Sequence, residues 1–106
     1  MRLEKFSLEG KISMVTGSSK GLGNAAAKAL AKAGSDIAVC GRNQADIDAA
    51  VEEIRALGRK AAGFAFDVTR KKSVQEGVAA VLSHFGRIDV LFNNAGTNYR
   101  DRKSVV

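Results

Sequence analysis

Short apolar runs alternate strictly with segments of helical periodicity along this chain of 106 residues. The runs are nearly all apolar, as strands are when helices cover both faces of a parallel sheet. The predicted strands are Lys11–Val15, Asp36–Cys40, Ala61–Phe66 and Ile88–Phe92. Because crossovers between parallel strands are right-handed, we predict an α/β fold with a doubly wound sheet in the strand order 3-2-1-4.

Capping and stop signals bound the three helices predicted between these strands. The first helix is predicted at Asn24–Ala33, and Leu22, Ala26 and Leu30 recur at helical spacing from just before it. Asn43 is the predicted N-cap of the second helix. For the third, Ser73 and Glu76 have the spacing of a capping box, and Thr69 is a rival cap. A glycine is predicted to end each helix, namely Gly34, Gly58 and Gly86.

The segment Thr16–Gly23 reads TGSSKGLG and leads from the first strand into the first helix. A strand, a glycine-rich turn and a helix can cradle a pyrophosphate, because the first N–H groups and the helix dipole meet the anion. Gly17 suits a tight turn, Gly21 lets the backbone approach the phosphates, and Gly23 lets the helix pack closely. A turn without a ligand remains the alternative, since such a turn by itself is a weak signal.

A second motif, Asn93-Asn94-Ala95-Gly96, ends the fourth apolar run. Together with the G-x-x-x-G-x-G spacing of the turn, and in this order, it resembles the short-chain dehydrogenase/reductase family. Leu8-Glu9-Gly10-Lys11 and Asp67-Val68 are similar to that family as well, and the resemblance runs from about Phe6 to about Asn98. It implies a partial Rossmann-type fold, a nicotinamide dinucleotide and hydride transfer to or from an alcohol or carbonyl.

The resemblance also implies roles for single residues. Asp67 would accept a hydrogen bond from the adenine amino group, with Val68 beside the ring, and a helix-capping role for Asp67 is compatible with this. Asn94 and Gly96 would bracket the cofactor. Thr16 and Asn93 would tie the first strand to the fourth. The predicted cofactor-binding residues are Gly17, Ser19, Lys20, Gly21, Leu22, Gly23, Arg42, Asp67, Val68, Asn94, Ala95 and Gly96.

The end of the second predicted strand bears on the choice of cofactor. NAD-binding sites place an acidic residue there, which bonds the ribose 2′-hydroxyl. Here Gly41 stands in that place and Arg42 follows it. A guanidinium suits a 2′-phosphate, and Lys20 is a second cation near the same place. We therefore predict NADP rather than NAD, with a solvated surface role for Arg42 as the alternative.

Composition and charge exclude several other classes of function. The net charge is +6, but the basic residues are spread along the chain rather than clustered with aromatic residues, as nucleic-acid binding requires. Neither a membrane span nor a signal peptide is evident. The single cysteine, Cys40, is predicted to be a small buried hydrophobe, no metal-binding spacing occurs, and a cytoplasmic location fits. His84 is predicted to be a dipole partner at a helix end.

Family members use a Tyr-x-x-x-Lys pair on a later helix, after an upstream serine, and the tyrosine donates the proton. Tyr99 and Lys103 match this spacing, but Tyr99 stands only three residues after Gly96 and Ser83 belongs to the third helix. We therefore predict no catalytic residue here. The sequence is interpreted as a dinucleotide-binding half at residues 1–106, with the catalytic half absent through truncation of the gene or because the chain is part of a longer protein.

Two functions remain open from sequence. One is an NADP-dependent oxidoreductase, and the other is a dinucleotide-binding module without chemistry of its own. The segments Phe6–Lys11 and Asn98–Arg100 show a faint similarity to sugar-acid dehydrogenases of the family. Because the fourth strand would present an unpaired edge, self-association is expected as well.

Overall fold

Parallel strands and helices alternate through residues 7–94, which are the residues described by the computed structural model. The elements are β1 (Ile12–Thr16), α1 (Gly21–Lys32), β2 (Asp36–Gly41), α2 (Gln44–Ala56), β3 (Ala61–Ala65), α3 (Lys71–Phe85) and β4 (Val90–Asn93). The strands form one sheet in the order β3-β2-β1-β4, and every pair is parallel. The predicted α/β fold and its strand order 3-2-1-4 are confirmed.

The two central strands, β1 and β2, contribute to a core on each face of the sheet, since successive strand residues point in opposite directions, whereas β3 and β4 are only partly buried. In β2, Ile37 and Val39 join the core formed with α1 and α2, whereas Ala38 and Cys40 join the core beneath α3. In β1, Val15 and Met14 divide in the same way. The chain leaves β1 towards β2 on one side and returns as β4 on the other, so the carboxyl ends of β1 and β4 flank the crevice where such sheets bind ligands.

Helix α1 contacts the sheet through small residues rather than through leucines. Its buried residues are Gly23, Ala27 and Ala31. Leu22 is 69% exposed, so the helical spacing of Leu22, Ala26 and Leu30 does not mark the face of α1 that is buried. Leu30 packs partly against the core. Small side chains let the helix axis approach the strands, and with this face against the sheet the face that carries Leu22 turns away from it.

The ends of α2 agree with the sequence, but the start of α3 does not. The Oδ1 of Asn43 accepts a hydrogen bond from the N–H of Asp46 at 3.0 Å, which confirms the predicted cap of α2. The N-cap of α3 is Arg70, and no side chain caps it, so the prediction of Ser73 or Thr69 is wrong. The Ser73 hydroxyl instead accepts the N–H of Asp67 at 2.9 Å. The three helices end at the glycines predicted to stop them, Gly34, Gly58 and Gly86.

Hydrogen bonds dock β4 on β1 at both ends. At the start, the carboxylate of Asp89 accepts the N–H of Ile12 at 2.8 Å. The hydrogen bond from Arg87 and this backbone bond lower the pKa of Asp89, so the group is ionised at neutral pH. At the other end, the Thr16 hydroxyl donates to Oδ1 of Asn93 at 2.9 Å, as predicted. The same hydroxyl oxygen accepts the N–H of Asn94 at 2.9 Å, which fixes the residue that follows β4 beside the end of β1.

Candidate functional site

The turn between β1 and α1 leaves an open cradle at the carboxyl edge of the sheet. Gly17 and Gly21 have φ of 64° and 59°, a left-handed conformation that suits glycine. Among residues 7–94, no atom lies within 4 Å of a Cβ built on Gly21. In the same part of the chain no side chain caps α1, and the first turn of this helix holds no acidic residue. The positive end of this helix therefore adjoins open space, as a pyrophosphate site requires.

Gly23 joins three parts of the site at one point. A Cβ there would collide with the carbonyl oxygen of Gly17 and would lie 2.9 Å from Nδ2 of Asn94. The helix, the turn and the residue after β4 thus pack together only because this side chain is absent. Gly23 does allow close packing, as predicted, but its nearest neighbours are the turn and Asn94.

Ser18, which is not among the residues predicted from sequence, ties the turn to β2. Its buried hydroxyl donates to the carbonyl of Val15 at 2.6 Å and accepts the N–H of Cys40 at 2.9 Å. Its own N–H donates to the carbonyl of Cys40 at 3.0 Å. Nothing in the sequence separates Ser18 from Ser19, because both are small and polar and only the fold buries the first of them more deeply.

A side chain in place of Gly41 at the carboxyl end of β2 would lie in tight contact with its neighbours. A Cβ on Gly41 would lie 3.0 Å from Oγ of Ser19 and 3.3 Å from Cγ1 of Ile47. Arg42 follows and is exposed. Lys20 is exposed too, but its Nζ lies 3.3 Å from Oδ2 of Asp46, an ion pair that the sequence pattern did not predict.

Asp67 lies just after β3 as an ionised acceptor. Its Oδ1 accepts the hydroxyl of Thr69 at 2.6 Å and the N–H of Thr69 at 2.9 Å. These two bonds, with smaller contributions from the charges of Arg42 and Arg70, lower the pKa of Asp67. The carboxylate therefore closes a turn before α3, so the helix-capping role considered for it is wrong. Val68 follows, half-buried.

The remaining predicted residues divide between the described part of the chain and the rest. Asn94 lies next to Gly23, as given above, whereas Ala95, Gly96, Tyr99 and Lys103 lie outside the described residues. Burial raises the pKa of the Cys40 thiol to about 12, so it behaves as the predicted buried hydrophobe rather than as a nucleophile.

His84 and the acidic residues offer no metal centre in the described part of the chain. His84 lies in the last turn of α3 as predicted, with its ring 4.6 Å from that of Phe85. Within residues 7–94, no group of three His, Cys, Asp or Glu side chains is placed to hold a metal ion. Over the same residues, no helix has both the length and the apolar character needed to cross a membrane.

The chain is similar in sequence to proteins named as dehydrogenases. A family model described as short chain dehydrogenase matches residues 11–105. The chain is 44% identical over 97 residues to the 2-dehydro-3-deoxy-D-gluconate 5-dehydrogenase of Formosa agariphila, covering 91% of this chain and 37% of that protein. It is 44% identical over 95 residues to the gluconate 5-dehydrogenase of Gluconobacter oxydans, covering 90% of this chain and 37% of that protein. The chain thus spans little more than a third of the length of these relatives.

A solved structure shares the fold and the arrangement of elements. The L-sorbose reductase from Gluconobacter frateurii, in complex with NADPH and L-sorbose, superposes with a TM-score of 0.82 at 32% identity. The match covers 92% of this chain and 40% of that one.

Proposed function

Because the chain belongs to the short-chain dehydrogenase/reductase family, we propose that residues 1–106 are the dinucleotide-binding half of an NADP-dependent oxidoreductase. The bound nicotinamide would exchange a hydride with an alcohol or carbonyl substrate. The observation that carries this proposal is the open, uncapped cradle at Gly21. The two relatives named dehydrogenases favour it over a binding module without chemistry.

Each part of the dinucleotide has proposed partners in the chain. The pyrophosphate lies on the turn of residues 17–23, with Ser19 and Leu22 at its edge. The adenine amino group donates to the carboxylate of Asp67 beside Val68. Asn94, with Ala95 and Gly96 after it, brackets the cofactor from β4. Arg42 and Lys20 receive the 2′-phosphate, since a guanidinium and an ammonium both attract that dianion.

Arg42→Asp should reverse the preference between the two cofactors. The change removes a charge-assisted contact to the 2′-phosphate and places a carboxylate where it repels that group and can accept the 2′-hydroxyl of NAD. We expect NADP affinity to fall by about 1.5–3 kcal/mol, roughly ten- to a hundredfold, as measured by titration calorimetry. Lys60→Asp is the matched control, because it changes the net charge equally at the amino end of β3. Equal affinity for both cofactors in the unmutated protein would contradict the preference.

Turnover separates the oxidoreductase from the binding module. In the 106-residue chain we expect binding of NADPH without its oxidation by a simple carbonyl compound, because Tyr99 stands too close to the Asn93–Gly96 motif to act as the proton donor. A protein that joins residues 7–94 to a Ser…Tyr-x-x-x-Lys segment should reduce carbonyls, and binding without turnover in such a protein would favour the module. Oxidation of NADPH by the 106 residues, lost in Tyr99→Phe, would instead identify Tyr99 as catalytic.

Sugar acids are the proposed class of substrate. The two relatives named for gluconate-type compounds are each 44% identical to this chain, and their names motivate a substrate panel of hydroxy and keto sugar acids. We also propose a cytoplasmic location, since a single cysteine can form no internal disulfide, which fits a reducing compartment.

Self-association is proposed through the outer side of β4. Leu91 is 49% exposed, and it lies against a groove of about 580 Å³ whose apolar lining includes Met14, Val74 and Val78. Covering the exposed half of this leucine contributes about 0.7–1.5 kcal/mol, so Leu91→Lys should weaken association roughly three- to tenfold in light scattering. Leu57→Lys is the control, since Leu57 is 41% exposed at the end of α2. A sharp monomer peak with a cooperative thermal transition in the unmutated chain would refute this proposal.

A further inference from the structure

An ion pair stands beside the proposed 2′-phosphate position. Nζ of Lys20 lies 3.3 Å from Oδ2 of Asp46, and the two side chains are 76% and 34% exposed. Lys20 is the last residue before α1, whereas Asp46 lies in the first turn of α2. The pair therefore bridges the glycine turn and the helix that follows β2.

The position of Asp46 is set by the local structure of α2. Its N–H donates to Oδ1 of the N-cap residue, Asn43, at 3.0 Å. This bond holds the backbone of Asp46 at the start of the helix, where a carboxylate also interacts favourably with the helix dipole. The start of α2 therefore sets where the Asp46 carboxylate lies, within reach of Lys20.

Carboxylates offset part of the positive charge at this corner, to which Lys20, Arg42 and Arg70 contribute. Two cations, Lys20 and Arg42, are available to a 2′-phosphate. Asp46 lies in contact with the first, and the carboxylate of Asp67 feels the charge of the second. A phosphate carries a charge of about −1.5 to −2 at neutral pH. A phosphate that contacts Lys20 would therefore lie within a few ångströms of the Asp46 carboxylate, which repels it.

We infer, on the basis of the proposed function, that Asp46 is a specificity-determining residue that limits the preference of this site for a 2′-phosphorylated dinucleotide by pairing with Lys20. The unphosphorylated ribose of NAD carries no charge at this place, so Asp46 penalises NADP selectively. Asp46 acts by neutralising the charge of Lys20 and does not touch the reacting atoms.

The test is the ratio of NADP to NAD affinity in Asp46→Asn, measured by titration calorimetry on the 106-residue chain at low ionic strength. Asparagine keeps the size and the backbone bond to Asn43 while removing the charge. We expect NADP affinity to rise about three- to tenfold and NAD affinity to change by less than about twofold. The gain should shrink when salt is raised and should largely vanish in a Lys20→Met background.

Asp48→Asn is the matched control. It removes the same charge from the same helix, and Asp48 is bonded to Gln44 rather than to Lys20. We expect its NADP to NAD ratio to stay within about twofold of the unmutated value. Far-UV circular dichroism checks that α2 is retained, and Asp46→Ser is a second variant for the case in which asparagine weakens the helix start.

The outcomes distinguish this inference from the function on which it rests. Binding of both dinucleotides with an unchanged or lowered NADP to NAD ratio in Asp46→Asn overturns the inference alone, as does an equal gain in Asp48→Asn. A lowered ratio would show that Asp46 holds Lys20 in place for the phosphate. Failure of the unmutated chain to bind either dinucleotide contradicts the proposed function, and this inference falls with it.

Discussion

Gly23→Val is expected to destabilise the fold by about 3 kcal/mol and to abolish dinucleotide binding. Even the Cβ of the new side chain would collide with the carbonyl oxygen of Gly17 and would lie 2.9 Å from Nδ2 of Asn94. The first of these neighbours is backbone, so α1 must move away from the turn. For a domain of this size, such a loss lowers the melting temperature by roughly 10–20 °C, which circular dichroism measures directly.

Ala25→Val provides the control for this substitution. Ala25 is exposed on the same helix, so valine there costs only its lower helix propensity, about 0.5 kcal/mol. If Gly23→Val melted within a few degrees of Ala25→Val and still bound the cofactor, the close packing of α1 against the turn would not be needed for the site.

Gly21→Val is expected to abolish binding for a different reason, with most of the fold retained. Among the described residues no atom lies within 4 Å of a Cβ at this position, so the side chain would enter the open space proposed for the pyrophosphate. The left-handed φ of 59° adds strain of about 1–2 kcal/mol for a residue other than glycine. We expect calorimetry to show at least a hundredfold loss of NADP affinity and circular dichroism to show an almost unchanged helix content.

Gly58→Val is the control for Gly21→Val, because it introduces the same kind of backbone strain without blocking the proposed pyrophosphate site. Gly58 has φ of 88° and open space around its Cβ position, but it lies after the carboxyl end of α2. It should therefore lose a similar amount of stability and keep its affinity for the cofactor. Normal cofactor binding by Gly21→Val would show that the pyrophosphate is not held at this turn.

Local chemistry was enough to predict the order and type of the elements. The four apolar runs became the four strands, but only β1 and β2 are buried on both faces, whereas β3 and β4 alternate with exposed residues. Asn43 caps α2 as predicted, since the hydrogen bond that its side chain accepts comes from a residue only three positions further along the chain. The glycines that end the helices could also be predicted, because the turn at each one depends on the conformation of its own backbone. The strand order 3-2-1-4 followed from the handedness of the crossovers.

Features that depend on distant residues could not be predicted in this way. Leu22 and Leu30 recur at helical spacing, but the contact of Gly23 with the turn selected a different face of α1 for burial. Ser73 has the spacing of a cap, yet its hydroxyl is taken by the backbone of Asp67. In both places a tertiary contact outweighed the local pattern.

The sequence alone therefore determined the sheet, the helices and the glycine cradle, whose signals all lie within a few residues of the element concerned. Only the tertiary structure brought Ser18 against Cys40 and Lys20 against Asp46. These pairs join elements separated by more than twenty residues, and their effect depends on distance and burial, which a linear pattern does not contain. The proposed choice between NADP and NAD belongs to this second group, because it depends on which charges the fold places around Arg42.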